Sequence, residues 1–122
     1  MARRSSATKA LGAYGEALAA RHLVAAGMVL LDHNWSCELG ELDLILRDGD
    51  VLVFCEVKTR RSTSHGSPLE AVHAQKAARM RRLAARWIAA HDVHAADVRL
   101  DLVGVLAPYR GAAQIEHVAG VG

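Results

Sequence analysis

Two charged side chains interrupt an otherwise apolar stretch, VLVFCEVKTRR, at residues 51–61. Glu56 and Lys58 are two residues apart, so on a β-strand they lie on the same face. A charge within an apolar strand costs free energy unless it is paired, hydrated or bound to an ion. The spacing therefore indicates a charged site at one end of a strand face.

The preceding segment, GELDLILRDGD, supplies the partner strand. Two apolar runs flank the dipeptide Asp-Gly at 48–49, which is a signal for a β-hairpin. If this dipeptide is the centre of the turn, Asp43 is predicted to face Phe54, and Glu41 is predicted to face Glu56. This register gathers four charged side chains at one end of one face: Glu41, Asp43, Glu56 and Lys58.

Gathered carboxylates indicate a metal ion as their partner. Three acids placed together repel one another, and some of their pKa values rise. A divalent cation relieves this repulsion, and oxygen-rich sites suit Mg²⁺ or Mn²⁺. The alternative is an exposed hairpin end at which Lys58 pairs with one acid, an interaction worth roughly 0–1 kcal/mol. The opposite face of the hairpin is wholly apolar and is predicted to join the core: Leu42, Leu44, Leu46, Val51, Val53, Cys55 and Val57.

The elements that must position this hairpin follow from the hydrophobic pattern. An Ala-rich segment that ends at Gly27 predicts a first helix, and the order of elements predicts a single α/β domain, αβββαβ. We expect this domain to span residues 8–122, after a flexible N-terminal tail at 1–7. The predicted segments are a helix at 8–26, strands at 28–35 and 97–106, and the hairpin at 40–60, with residues 114–118 as a candidate fifth strand.

The second helix has a recognisable start and one anomalous residue. Ser67, Pro68 and Glu70 match the capping pattern of a helix that runs to about residue 90. Lys76 falls within its apolar stripe, so it either points toward the carboxylates or a phosphate, or extends its stem to solvent. The stripe itself consists of Leu69, Val72, Met80, Leu83 and Trp87.

Composition bounds the class of protein. The chain has 122 residues, of which 52% are hydrophobic and 23% charged, as expected of one globular domain. It has no apolar run long enough for a membrane helix and no secretory signal, so we expect no membrane partner. Cys37 and Cys55 are isolated, which favours a reduced, cytoplasmic protein. Aromatic residues make up 4% of the chain and do not indicate base-stacking surfaces.

Charge is segregated along the chain. Residues 32–56 contain seven acids and one base, whereas residues 58–86 contain eight bases and one acid. This distribution fits a protein that binds a metal ion and a polyanion together, and it equally fits a solvated helix face after a charged hairpin. The arginines are candidate nucleic-acid contacts or ordinary solubilising charges: Arg60, Arg61, Arg79, Arg82 and Arg86.

The ordered motifs resemble those of the PD-(D/E)xK nuclease superfamily, in which an acid on the second strand precedes ExK on the third. Asp43, Glu56 and Lys58 occupy these positions, and Leu42 stands where the superfamily name has proline. The chain resembles the bacterial YraN family more closely, and it is similar to archaeal Holliday-junction resolvases. The family resemblance spans residues 12–103 through GAYGEALAARHL, NWSCELGELDLI, VFCEVKTR, HGSPLEAV and VRLDLV.

The resemblance implies a restriction-endonuclease-like αβββαβ core, with a mixed sheet flanked by helices. It also implies that Asp43 and Glu56 are catalytic metal ligands, joined by the Val57 carbonyl oxygen and the carboxylate of Glu16. Lys58 would orient or activate the attacking water, or stabilise charge on the phosphate. Two further residues are assigned supporting roles near the site: Glu41 and Lys76.

The implied function is a Mg²⁺- or Mn²⁺-dependent endonuclease that acts on DNA, including branched DNA. Resolvases act as dimers because their substrate is two-fold symmetric, so the resemblance also implies a homodimer. Two alternatives remain open. One is a nucleic-acid-binding module that has the nuclease fold without catalysis, and the other is a structural or interaction protein whose hairpin charges are surface pairs.

Overall fold

The computed structural model describes residues 6–64 and 74–121, whose elements follow the predicted order αβββαβ and end with the candidate fifth strand. The first helix begins at Ser6, two residues before its expected start, and the rest of the predicted tail lies outside the described residues. The capping residues Ser67, Pro68 and Glu70, and the stripe residues Leu69 and Val72, also lie outside them. The elements are α1 (Ser6–Ala25), β1 (Val29–Cys37), β2 (Gly40–Asp48), β3 (Val51–Arg60), α2 (Ala74–His91), β4 (Asp97–Leu106) and β5 (Gln114–Ala119).

The strands form one five-stranded sheet in the order β1-β2-β3-β4-β5. Only β3 and β4 are parallel, and the other three neighbouring pairs are antiparallel. A parallel pair needs a long crossover, and α2 lies within the segment that connects these two strands. The predicted mixed α/β fold is therefore confirmed. Neither helix within residues 6–64 and 74–121 is long and apolar enough to cross a membrane.

Each face of the sheet has its own buried cluster. Ala19 and Leu23 of α1 pack against Leu44, Val53 and other side chains on one face, as the apolar side of the hairpin predicts. The other face packs against α2, where the predicted stripe residues Met80, Leu83 and Trp87 are buried with Ile45, Leu52, Phe54, Leu100 and Leu102.

One buried carboxylate lies on the α1 face of the sheet. Asp101 is fully buried, and both of its oxygens bind Arg99, at 2.8 Å to Nε and 3.0 Å to Nη2. His117 Nε2 lies 2.7 Å from Oδ2, and the Gly120 N–H donates to Oδ1 at 3.1 Å. Burial alone would raise the pKa of Asp101, but these hydrogen bonds outweigh it and hold the pKa below its ordinary value. Asp101 is thus a buried carboxylate whose two oxygens are both hydrogen-bonded, and it links β4 to β5.

Candidate functional site

The hairpin strands separate at the end that carries the predicted site. The β2–β3 ladder runs from Asp48 opposite Val51 to Leu44 opposite Cys55. Beyond Leu44, the Val57 N–H donates to Oδ2 of Asp43 at 2.8 Å instead of to a strand carbonyl. A carboxylate that accepts this bond must lie near the plane of the sheet, between the two strands. The sheet therefore opens where its charged residues begin.

The predicted register was wrong by two residues. Ile45 faces Phe54, so the turn is centred on residues 49–50 and not on 48–49. Gly49 has φ 60°, whereas Asp48 is not in the left-handed region, so glycine takes the first central position of the turn. Because a shift by two residues preserves the alternation, each strand still presents the predicted faces.

One exception to the predicted faces lies beside the site. Leu42 packs in the α2 cluster, together with Trp35, and not with Leu44 and Leu46 on the α1 face. The β2–β3 ladder has ended at this point, so pairing with β3 no longer fixes which face Leu42 takes. Asp43, the next residue, lines a cavity together with residues of both helices.

A cavity of about 470 Å³ opens at this end of the sheet, between α1, α2 and the separated strands. Every predicted catalytic, metal-binding and supporting residue lines it. These residues are Glu16, Glu41, Asp43, Glu56, Val57, Lys58 and Lys76. Side chains from four different elements thus converge on one cavity, as the sequence pattern predicted for the hairpin residues.

Glycine allows α1 to approach this cavity. A Cβ atom added to Gly15 would lie 1.9 Å from Oγ1 and 2.8 Å from Cβ of Thr59 on β3, closer than atoms can pack. Glu16 follows directly and lines the cavity. Glycine within a helix is destabilising by roughly 1 kcal/mol relative to alanine. The sequence therefore contained a signal of this close packing, namely a glycine inside a helix directly before an acidic residue.

Asp43 carries the most perturbed carboxyl group of the cavity. Burial is the main reason that its pKa is raised to about 7. The hydrogen bond from Val57 N–H opposes this rise. Neighbouring carboxylates add to it by repulsion: Glu16, Glu56 and Glu41. Burial and the neighbouring carboxylates therefore leave the negative charge of Asp43 poorly stabilised in the metal-free protein.

Glu56 is engaged at one oxygen only. Its Oε1 lies 3.0 Å from Nζ of Lys76, and both side chains are largely buried. Its Oε2 is buried and has no hydrogen-bond partner within the part of the chain that the structure describes. Of the two alternatives left open for Lys76, the one that points toward the carboxylates is therefore confirmed. An unsatisfied buried carboxylate oxygen is costly, and such atoms call for an explanation such as an ion.

Lys58 lies half-buried among other cations. Burial lowers its pKa, and a hydrogen bond and charge repulsion from Lys76 lower it further. The negative charge of Glu56 acts in the opposite direction. The amine of Lys58 consequently gives up its proton more readily than an ordinary lysine.

The described carboxylates of the cavity are not arranged as a complete metal site. Among residues 6–64 and 74–121, no three His, Cys, Asp or Glu side chains are arranged to hold an ion as they stand. In addition, Lys76 occupies one oxygen of Glu56, and Val57 N–H occupies one oxygen of Asp43. The donor types nevertheless fit Mg²⁺ or Mn²⁺, because they are carboxylate oxygens and one of them is buried without a partner among the described residues.

The predicted arginine contacts divide into two groups. Arg60 and Arg79 line the cavity beside the two lysines. Arg82 is exposed, and Arg86 is exposed and forms an ion pair with Glu38. Arg61 lies outside the cavity, over the ring of Tyr109. Two of the five predicted arginine contacts, Arg60 and Arg79, therefore lie at the site.

The comparisons with known proteins give a consistent family. The family model of "Uncharacterised protein family UPF0102" matches residues 15–105, a range that includes all the predicted catalytic residues. The chain belongs to this family. Its resemblance to the YraN family is thereby confirmed at the level of UPF0102.

Three bacterial UPF0102 proteins illustrate how far the similarity extends. One from Nocardioides sp. is 61% identical over 114 residues, which cover 93% of this chain and 92% of the relative. One from Beutenbergia cavernae is 57% identical over 116 residues, covering 95% and 98%. One from Streptomyces coelicolor is 55% identical over 118 residues, covering 95% and 91%. The UPF0102 name includes no substrate or reaction, so the function must be argued from the site.

Proposed function

We propose that this UPF0102 protein is a metal-dependent endonuclease of the PD-(D/E)xK type that hydrolyses phosphodiester bonds in DNA. One observation carries the proposal. Within the part of the chain that the structure describes, Glu56 places a buried, unpartnered oxygen in a cavity that both acidic and basic side chains line. Hydrolysis of a phosphodiester needs both, because acids bind the metal ion and cations neutralise the phosphate.

Mg²⁺ or Mn²⁺ fits the donor set of this cavity. The proposed ligands are oxygens of Asp43 and Glu56, the carbonyl oxygen of Val57 and the carboxylate of Glu16. A bound cation would neutralise the repulsion that raises the pKa of Asp43, and Glu41 would support it from the cavity wall. When bound, such an ion makes a water molecule nucleophilic at neutral pH and offsets charge on the phosphate.

The amines of the cavity supply the remaining chemistry. Lys58 is two residues from Glu56 on the same strand face, so it reaches the same phosphate. Its lowered pKa favours a proton transfer at Nζ, from the attacking water or to the leaving oxygen. Lys76 neutralises Glu56 while the site is empty of cations, and Arg60 and Arg79 bind flanking phosphates.

The resemblance to junction resolvases extends the proposal to branched DNA and to a homodimer. A two-fold symmetric junction presents two equivalent phosphates, and a symmetric dimer would place one cavity at each. Sedimentation of the purified protein, alone and with a four-way junction, tests this extension separately from hydrolysis.

Cleavage of labelled DNA tests the main proposal. We expect the protein to cut at least one of a panel of single-stranded, duplex, flapped and four-way substrates in Mg²⁺ or Mn²⁺, and not in chelator. Glu56→Gln and Lys58→Ala should each lower the rate at least 100-fold, because each removes a group that contacts the reacting phosphate or its metal. Glu38→Gln is the matched control, since Glu38 is exposed and paired with Arg86 outside the cavity. Equal cleavage by wild type and Glu56→Gln would show that a contaminant cuts the DNA.

A second candidate is a nucleic-acid-binding module that does not hydrolyse its ligand. The ion pair between Lys76 and Glu56 favours it, because this pair occupies the carboxylate that hydrolysis requires. Calorimetric titration with Mn²⁺ separates the two candidates. Binding that is lost in Asp43→Asn supports the endonuclease, whereas DNA binding without Mn²⁺ binding or cleavage supports the module.

A further inference from the structure

Tyr109 is the most exposed large apolar side chain in the described parts of the chain. Its exposed fraction is 85%, and the next largest is 58%, at Val29. The ring is nevertheless not isolated, because the guanidinium carbon of Arg61 lies 4.3 Å from its centroid. An arginine stacked on one face of a ring leaves the opposite face open to another planar group.

Arg61 and Tyr109 are held in place by the ends of two paired strands. The parallel β3–β4 ladder extends to Arg60 opposite Leu106. Directly after it, the Ala107 N–H donates to the Arg60 carbonyl at 2.8 Å. Arg61 Nη1 in turn donates to the Ala107 carbonyl at 3.3 Å. The Arg61 guanidinium is therefore held by a hydrogen bond while it packs against the Tyr109 ring, which lowers the entropy lost when a ligand stacks on the ring.

The Arg61–Tyr109 pair lies next to the candidate site, just beyond the end of β3. Arg60 lines the cavity, and Arg61 is the next residue. Arg60 is four positions after Glu56 on β3, which corresponds to about 13 Å. Lys58 lies between them, and the exposed Arg110 follows Tyr109. A negatively charged backbone that leaves the cavity in this direction meets positive charges until it reaches the aromatic ring.

We infer that Tyr109, backed by Arg61, is a stacking platform for an unpaired nucleobase next to the cavity. The inference rests on the proposed function and adds a substrate class: a nucleic acid with at least one unpaired nucleotide close to the phosphate in the cavity. Bases within a duplex are already stacked, so only an unpaired base can lie on the ring. A low aromatic content does not argue against this platform, because it needs a single ring.

Binding measured by fluorescence anisotropy tests the platform. The probes are a labelled blunt duplex, the same duplex with a single-stranded overhang, and a single strand as DNA and as RNA, all in chelator so that no cleavage occurs. We expect Tyr109→Ala to weaken binding of the overhang and of the preferred single strand by about 5- to 100-fold. Binding of the blunt duplex should change less than about twofold. Tyr109→Phe should bind like wild type, because the ring is retained.

Tyr14→Ala is the matched control, since Tyr14 is an exposed tyrosine on α1 that does not line the cavity. It should leave all probes unchanged. A 2-aminopurine in the overhang should be quenched by wild type and by Tyr109→Phe, and not by Tyr109→Ala. Equal losses on duplex and overhang, or no loss on either, would overturn the platform.

The failures of the two proposals are distinguishable. Metal-dependent, Glu56-dependent cleavage that is unaffected by Tyr109→Ala overturns the platform and leaves the endonuclease standing. Tyr109-dependent binding of single strands without any cleavage overturns the endonuclease and supports the platform.

Discussion

Asp43 and Asp101 are two carboxylates on the same sheet with opposite surroundings. Asp101 receives hydrogen bonds from Arg99, His117 and Gly120, and its pKa is lowered. Asp43 receives one from Val57, lies among other acids, and has a pKa raised to about 7. The fold therefore supplies cationic and hydrogen-bonding partners to Asp101, whereas burial and neighbouring carboxylates disfavour the charge of Asp43.

The difference separates a structural charge from a charge kept for a ligand. A buried carboxylate that has its hydrogen-bonding partners in the fold can link two strands, as Asp101 links β4 to β5. A carboxylate that is desolvated beside other carboxylates, as Asp43 is, destabilises the free protein, and such groups cluster at functional sites. We therefore expect substitutions of these two aspartates to change stability in opposite directions.

The largest expected effect is at Asp101. Asp101→Asn removes the negative charge that Arg99 and His117 share, and the amide also places hydrogens against the guanidinium. Breaking a buried pair on one side costs roughly 3–5 kcal/mol, and because Arg99 keeps its ion pair with Asp48 we expect a loss near the lower end of this range in the free energy of unfolding. Urea denaturation measures it. Asp97→Asn is the control, because Asp97 is an exposed aspartate on the same strand, and it should unfold like wild type.

The next effect has the opposite sign. Asp43→Asn removes a buried charge while retaining an oxygen that accepts the Val57 N–H, so the metal-free protein should become more stable at pH 8. A shift of one pKa unit corresponds to about 1.4 kcal/mol, and we expect a gain of roughly 1–3 kcal/mol after solvent screening. In Mn²⁺ the order should reverse, because only wild type gains stability from bound metal. A loss of stability in chelator would contradict the comparison.

The pH dependence follows from the same two shifts. The raised pKa of Asp43 means that its contribution to stability is complete below the ordinary carboxyl pKa and is lost as the pH rises through about 7. The lowered pKa of Asp101 means that its contribution is complete above the ordinary carboxyl pKa and is lost as the pH falls. Asp43→Asn should therefore flatten the stability profile between about pH 4 and 7, and leave the acid limb unchanged.

Much of the fold and of the site could be predicted because both depend on local periodicity. The alternation in β2 and β3 placed Asp43, Glu56 and Lys58 together, and this placement survived a register error of two residues. The turn type decided that register, and it depends on which residue takes a positive φ. The alternation of apolar and polar residues does not show which residue of the turn takes a positive φ.

Contacts between distant residues were not predictable in the same way. Asp101 and His117 were each visible as polar residues on apolar strands, but their pairing depends on how β5 is aligned with β4. Arg61 and Tyr109 meet because two parallel strands end together. Sheet order and register create such contacts, and neither has a signature in the spacing of the residues involved.

The smallest expected effect concerns the approach of α1 to the site. Helix propensity predicts that Gly15→Ala stabilises α1 by roughly 1 kcal/mol. The structure predicts the reverse, because the new methyl group would overlap the side chain of Thr59. Overpacking typically costs 1–3 kcal/mol, so we expect a net loss of about 1–2 kcal/mol in urea denaturation. The displaced helix should also move Glu16 and weaken Mn²⁺ binding.

A double-mutant cycle with Thr59→Ala identifies the cause of that loss. Thr59→Ala removes Oγ1 and Cγ2, which would lie 1.9 Å and 2.8 Å from the new methyl group, but retains the Cβ atom, also at 2.8 Å. We therefore expect Gly15→Ala to cost less in the Thr59→Ala background, with part of the loss remaining. Equal costs in both backgrounds would show that α1 and β3 adjust independently. In that case the contact between Gly15 and Thr59 would not position the carboxylate of Glu16. The shape of the open end of the sheet would then depend on the separated strands and α2 alone.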